Sequence, residues 1–351
     1  MNKRIVLPLI ILMLLGIGSS VALASHQEKT DGSYYTLVDE NNNIIHQTGL
    51  YVYVGDEYIS ADNSRYKVIE LIGDTARCVY QGKEKMPDVS YDSQRDAWLI
   101  NNEVIPAVSG SKTGEVAIYH THSDESYVPS DGKESIEGNG GIYDVGKALA
   151  NKLEDLGFKV HYSDNNHNPH DINAYNRSRK TAASLLKETP DVIMDLHRDA
   201  TPPDEYQAKV EGQEVTKIKL VVGRQNPNMK TNLEFAKKIK AVMDEKKEGL
   251  SNGIFLGKGD YNQDLNPRAV LLEVGSHTNK KDEAQNGVEL FAETIPVVLG
   301  VDNTSGATDE PAAKPMTTDN QGALNSIVFL VVVLAAAAGG FYLLNRKSAN
   351  K

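Results

Sequence analysis

The apolar positions of this chain change rhythm between two long hydrophobic ends. From 34 to 106 the runs are short and β-like, "YYTLVDE", "GLYVYVGDEYIS" and "RYKVIELIGDTARCVYQG", cut by the turn signals "ENNN", "GDE", "ADN" and "GD". This predicts a small β-rich domain, with Trp98 and its neighbouring tyrosines as core. After "AVSGSKTGE", a Gly/Ser/Thr stretch that reads as a linker, strands and helices alternate. "VAIYHTH" leads to "DVGKALANKLEDLG", where Val145, Leu149, Leu153 and Leu156 share one helical face, and then to the strand "FKVHYSD". There follow the helix "YNRSRKTAASLLKE", the strands "DVIMDLHRDA" and "TKIKLVVG", the helix "NLEFAKKIKAVMDEK", the strand "AVLLEVGSHTN" and the helix "KDEAQNGVELFAETIPVVLG". The alternation predicts an α/β domain over 115–300, a mostly parallel sheet flanked by helices.

The ends add a membrane. "IVLPLIILMLLGIGSSVALA", preceded by Lys3 and Arg4, makes 1–24 either a signal peptide cut after Ala24 or an uncleaved anchor. The uncharged run at 323–344 has the length of a transmembrane helix and is followed by a short basic tail, 345–351, with Arg346, Lys347 and Lys351. Basic residues on the outer side of both runs place both termini in the cytoplasm and everything between them outside. The segment 301–322, polar and rich in Pro, Thr and Asp, reads as a flexible linker to the second span.

The net charge is −11, and the basic termini contribute only cations, so the exported part is more acidic still. Nucleic acid is a poor partner for such a surface. Cys78 is the single cysteine, which excludes an intramolecular disulfide and a thiolate metal cluster. Any metal must be held by His, Asp and Glu.

Three predicted strands end in residues suited to holding one. "VAIYHTH" ends in His120 and His122, "DVIMDLHRDA" carries His197, and "AVLLEVG" carries Glu273. Open α/β sheets build their sites beyond the carboxyl ends of the strands, so these residues meet along one edge. Two imidazoles and a carboxylate are a common zinc set that leaves a position for water and lowers its pKa to about 7. Of the first two histidines, His122 lies further out and is the better ligand, with His120 in support or purely structural. Glu125, Glu134 and Glu137 are candidates for the carboxylate. Glu273, inside an apolar run, suits a general base, because burial raises its pKa towards the working range. Asp199 could orient a ligand imidazole. Arg198, Arg268 and Asn279 adjoin the site in sequence as candidate substrate-binding groups, with surface ion pairs an equal reading of both arginines. His161, His167 and His170 fall in a polar loop and read as solvated.

The ordered set "YHTHSDESY", "DLHRDA" and "KGDYNQDLNPRAVLLEVGSHTN" resembles the stage II sporulation protein P family of cell-wall hydrolases, over roughly 115–298. More distantly it resembles zinc-dependent N-acetylmuramoyl-L-alanine amidases. The resemblance implies His122, Glu137 and His197 as zinc ligands and Glu273 as the base, with Glu125 the rival carboxylate. It implies cleavage of the amide between muramic acid and L-alanine in peptidoglycan, with peptide-crosslink cleavage as a second activity. It also implies a role in forespore engulfment beside a sporulation protein D-like lytic transglycosylase and a membrane protein that localises both. The family is anchored through its N-terminal segment, so the second hydrophobic run here is a departure.

Two other functions compete. "HTHSDESYVPSDG" also mimics the His-x-His start of barrel-type metal-dependent phosphoesterases and amidohydrolases, which need about 200 residues or more in eight strand–helix units. A non-catalytic wall-binding protein would keep the fold without the His, Glu, His and Glu set.

Overall fold

The computed structural model describes residues 28–29, 31–89, 98–100, 103–105, 114–171 and 173–301. The hydrophobic runs at 1–24 and 323–344, the stretch 106–113, the linker beyond 301 and the tail lie outside them. Among the described residues, no helix is long and apolar enough to cross a membrane.

The first strands are β1 (Tyr35–Val38), β2 (Ile44–Thr48), β3 (Glu57–Ile59), β4 (Ser64–Ile72) and β5 (Thr75–Lys83), followed by the small pair β6 (Trp98–Ile100) and β7 (Glu103–Ile105). Then come β8 (Glu115–Tyr119), α1 (Val128–Asp131), α2 (Ile142–Asp155), β9 (Lys159–Tyr162), α3 (Ala174–Leu185) and β10 (Val192–Asp199). The hairpin β11 (Gln207–Val210) and β12 (Gln213–Thr216) precedes β13 (Ile218–Gly223), α4 (Met229–Lys246), β14 (Ser251–Gly257), β15 (Ala269–Ser276), α5 (Lys281–Ala292) and α6 (Ile295–Leu299). The sequence pattern did not reveal β14 or the β11–β12 hairpin.

Eleven strands form one open, mixed sheet in the order β2-β1-β5-β4-β3-β14-β13-β15-β10-β8-β9. Among the six strands from β14 to β9 every pairing is parallel except β13 with β15. The β-rich strands join that sheet edge to edge, through antiparallel pairing of β3 with β14. An open sheet ending in β2 and β9 is not a closed barrel, which removes the architecture of the phosphoesterase alternative.

Strands β8, β10, β13, β14 and β15 are buried almost throughout because both faces are covered. One face, with Val116, Ile118, Met194, Leu196, Val270 and Leu272, meets the apolar stripes of α2, α4 and α5 in the main core. Val145, Leu149 and Leu153 sit there as the helical spacing predicts. The other face packs Val221, Phe255 and Leu271 against Leu37, Val68, Ala76 and Cys78 of the β-rich strands. Side chains alternate along a strand, so this second face also carries Asp195, His197, Glu273 and Lys219.

Gly253 makes the β3–β14 joint possible. Its φ is +84°, and a Cβ there would collide with the Ile59 carbonyl oxygen and touch the Tyr58 ring at 3.0 Å. Gly253→Ala should therefore cost about 3 kcal/mol or more, from the strained φ plus the collision. Gly249→Ala shares a positive φ of +88° but meets only Val210, at 3.8 Å, and should cost about 1–2 kcal/mol. Urea unfolding of the two variants checks this; equal losses would mean that the joint tolerates the side chain.

Candidate metal centre

Strand β8 stops at Tyr119, and the two histidines beyond it part company. His120 turns to the helix-covered side, where Nδ1 lies 3.2 Å from the Leu196 carbonyl oxygen and Nε2 3.1 Å from the Tyr162 hydroxyl. Gly146 of α2 lets the helix come this close, since a Cβ there would run into the imidazole. Burial pushes the His120 pKa down to about 4, which suits a neutral structural ring. His122 faces the other way.

The element that gathers the site is Glu125, which is fully buried. Its Oε1 lies 3.0 Å from His122 Nδ1 and 3.2 Å from His197 Nδ1, while Oε2 accepts the Arg198 backbone N–H at 2.9 Å. Burial opposes its ionisation, but the imidazoles of His197 and His122 outweigh burial and hold its pKa below the usual range. His197 is the register partner of Glu273 across the parallel β10–β15 pair, so the two side chains share a face.

Behind His197, Nε2 lies 3.2 Å from Asp195 Oδ1. Asp195 in turn accepts the Thr121 backbone N–H at 2.8 Å and its hydroxyl at 2.6 Å. The contact with His197 falls short of a hydrogen bond, so Asp195 faces the far side of a ring whose Nδ1 is turned to Glu125. Asp199, expected as the orienting group, serves elsewhere. It accepts from the Lys219 ammonium, the Tyr206 hydroxyl at 2.8 Å and the Gly49 backbone N–H at 2.6 Å, tying the sheet to the β-rich strands.

Two further residues complete the cluster. Glu28 Oε2 lies 3.2 Å from His122 Nδ1 and 3.2 Å from His170 Nε2, and its Oε1 accepts from Arg198 Nη1 at 2.9 Å. The His170 ring stacks on His122 with centroids 3.8 Å apart, and its Nδ1 is 3.2 Å from Asp124 Oδ1. Glu28, His122, Glu125 and His170 each offer a donor atom within 4.8 Å of the others. His197 lies outside that four-residue group and meets it at Glu125 Oε1, 3.2 Å from its Nδ1. A cavity of about 140 Å³ opens beside them, lined in part by Glu28, Asp124, Glu134, His170, Arg198 and His277.

The donors fit a zinc-type ion. They are imidazole nitrogens and carboxylate oxygens without a thiolate. His170 Nε2 and His197 Nε2 are buried without a hydrogen-bond partner, although carboxylate oxygens of Glu28 and Asp195 lie only 3.2 Å from them. Such close but unbonded donors are what a cation satisfies.

The other sequence candidates fall elsewhere. Glu137 is exposed, and Glu134 is exposed with its backbone carbonyl accepting from Arg198 Nη2 at 3.0 Å. Arg268 sits just before β15, level with Asp191 and at the opposite strand end from Glu273. Asn279 is buried in a turn, accepting from the Ser276 N–H at 2.9 Å and donating to the Pro203 carbonyl at 3.2 Å. The loop histidines are not free in solvent: His161 pairs with Glu115 at 2.8 Å, and His167 is buried with Nδ1 2.7 Å from the His120 carbonyl oxygen. Sequence reasoning missed Glu28 and His170, which carry no motif, and Asp195. For Asp195 a signal existed, since it stands two residues before His197 on the same strand face.

A family model described as Stage II sporulation protein P matches residues 60–296. Stage II sporulation protein P of Bacillus subtilis (strain 168) is 30% identical over 199 residues, covering 51% of this chain and 50% of that protein. The chain thus spans about half the length of this curated relative. Among solved structures, an N-acetylmuramyl-L-alanine amidase of Mycobacterium smegmatis is 16% identical over 55% of this chain and all of its own, with a TM-score of 0.38. An N-acetylmuramoyl-L-alanine amidase of Clostridium difficile 630 is 19% identical over 56% of this chain and all of its own, with a TM-score of 0.35.

The His170 environment sets a pH dependence in the metal-free protein. Burial alone would lower its pKa, but Asp124 and Glu28 outweigh burial and raise it from 6.5 to about 10. A raised histidine pKa contributes stability that is complete below the unfolded value and is lost as pH climbs through the folded one. With metal chelated, wild type should exceed His170→Gln in urea midpoint most at pH ~6, the gap closing by pH ~10. A gap that does not change with pH would contradict the assignment.

Proposed function

Because the chain belongs to the stage II sporulation protein P family, we propose that it is a zinc-dependent peptidoglycan hydrolase of sporulation that cleaves the N-acetylmuramoyl-L-alanine amide. The observation that supports this most is the Glu125 carboxylate between the His122 and His197 imidazoles, with Glu273 in register beside His197. In this reading His122, Glu125 and His197 hold the zinc, and Glu125 takes the place that spacing gave to Glu137. Bound there, zinc supplies a Lewis acid for the scissile carbonyl and lowers the pKa of the attacking water.

The remaining work falls to the protein. Glu273 is 2% exposed, and burial followed by the neighbouring Asp199 carboxylate raises its pKa well above the ordinary value. That suits a group which takes a proton from water and returns it to the leaving nitrogen as the carbon–nitrogen bond breaks and the carbon–oxygen bond forms. Its Oε2 is buried without a hydrogen-bond partner, so a proton can be held there without breaking another bond. Asp195 places a negative charge behind the His197 ring, and Lys219, opposite Glu273 in the β13–β15 register, places a cation next to the base.

The hydrophobic runs at 1–24 and 323–344, with their outer basic residues, support anchoring in the cell membrane with the hydrolase on the extracytoplasmic side. Peptidoglycan is then the partner within reach. A transglycosylase of the sporulation protein D type and a membrane localising protein are the further partners that membership suggests.

The purified chain should contain one zinc and release stem peptides from purified walls. His122→Ala should lose the zinc. Glu273→Gln should keep it and lose about 10²–10⁴-fold in rate. Zinc-free wild type that binds walls and releases nothing would replace this reading with the wall-binding one.

A further inference from the structure

Glu28 reaches the site from outside the regular structure. It stands seven residues before β1, and among the described residues the 28–29 backbone is held by one isolated bridge to Leu50 and by the Lys29 N–H donating to the Gly49 carbonyl at 2.8 Å, with the Lys29 ammonium reaching Ser33 at 2.7 Å and Asp74 at 2.5 Å near the surface. The residue is nevertheless only 9% exposed: Arg198 Nη1 donates to one carboxylate oxygen, and His122 Nδ1 and His170 Nε2 each lie 3.2 Å from the other.

The receiving groups are set without it. Arg198, 5% exposed, is fixed by its backbone N–H to Glu125 and by guanidinium bonds to the carbonyls of Ser126 at 3.4 Å and Glu134 at 3.0 Å. His170 is held from behind by Asp124. A guanidinium and an imidazole thus converge on a position beside the His122–Glu125–His197 group, and the cavity of about 140 Å³ adjoins it.

We propose that Glu28 is an internal stand-in for a ligand: Arg198 and His170 build a carboxylate subsite next to the metal group, which takes a peptide bearing a free carboxylate once the 28–29 segment withdraws. The proposal rests on the hydrolase reading for the role of that peptide as substrate, and on geometry alone for the subsite. Uncovering a buried guanidinium is costly, so withdrawal is favoured when one carboxylate is exchanged for another. One backbone bridge and an ion pair of Lys29 with the half-exposed Asp74 open more easily than a strand in a ladder. While the segment is closed, the tethered carboxylate competes at an effective concentration on the order of millimolar. A ligand must therefore fill the neighbouring cavity as well as the subsite.

The test uses the full chain and the probe N-acetyl-L-alanyl-D-glutamate, with its neutral diamide as the uncharged counterpart, both titrated calorimetrically at neutral pH. Glu28→Ala should bind the carboxylate probe at least ~10-fold tighter than wild type, gain nothing for the diamide, and keep its zinc. Arg198→Lys in the same background should abolish the gain, because a lysine does not reproduce the guanidinium fork. Unchanged or weaker probe binding in Glu28→Ala, or a gain shared by the diamide, overturns the proposal. So does zinc lost only from Glu28→Ala, which would make Glu28 a structural ligand. If Glu28→Ala does not fold, Glu28→Gln removes the charge at constant size and is judged by the same outcomes. Absence of zinc from wild type and variant alike, with the carboxylate-specific gain intact, would instead overturn the hydrolase reading and leave the subsite standing.

Discussion

A carboxylate with no exposed surface, Glu125, sets the terms for the rest of this structure. An ionised group buried so deeply needs every lone pair engaged. Its partners come from three places: the loop that leaves β8 supplies His122, the end of β10 supplies His197, and the backbone beyond it supplies the Arg198 N–H. Parallel pairing of β8 with β10 brings those places together. Because β8 ends short of His122, its alternation no longer applies there, and His120 and His122 can serve opposite sides of the sheet.

The β-rich strands are part of the same foundation. Asp199 stands two residues beyond His197 and is anchored by the Lys219 ammonium, the Gly49 N–H and the Tyr206 hydroxyl. Burial works against its ionisation, and Lys219 with the Gly49 N–H and the Tyr206 hydroxyl together outweigh burial and keep its pKa low. The tie therefore holds the end of β10 against β2 and contributes to the raised pKa of Glu273. Glu28 approaches from the same side, bridged to Leu50, so the chain that precedes the β-rich strands contacts the cluster at its mouth.

Local pattern made part of this legible. The stripe of Val145, Leu149 and Leu153 announced α2, and solid apolar runs announced β8, β10 and β15. His197 and Glu273 were readable because a polar group at the end of an apolar strand faces the edge where such folds build sites. Strand β14 was not, because "SNGIFLG" mixes Ser, Asn and two glycines, and one of those glycines answers a close backbone approach that only the folded neighbour creates. Glu125 and Glu137 are both acids in one loop, and only its path decides which one turns inward. Arg268 precedes its strand rather than following it, so closeness to Glu273 in sequence becomes distance along β15. Glu28 meets Arg198 across 170 positions, a separation that no local signal spans.

The most direct test of the central claim is an anomalous difference map at the zinc edge from crystals of the zinc-loaded chain. The account predicts one peak about 2.0–2.2 Å from His122, Glu125 and His197, with Glu273 beside it and no bond to Glu137. A peak held by Glu28 and His170 with His197 left out, or no peak at full zinc loading, would contradict it.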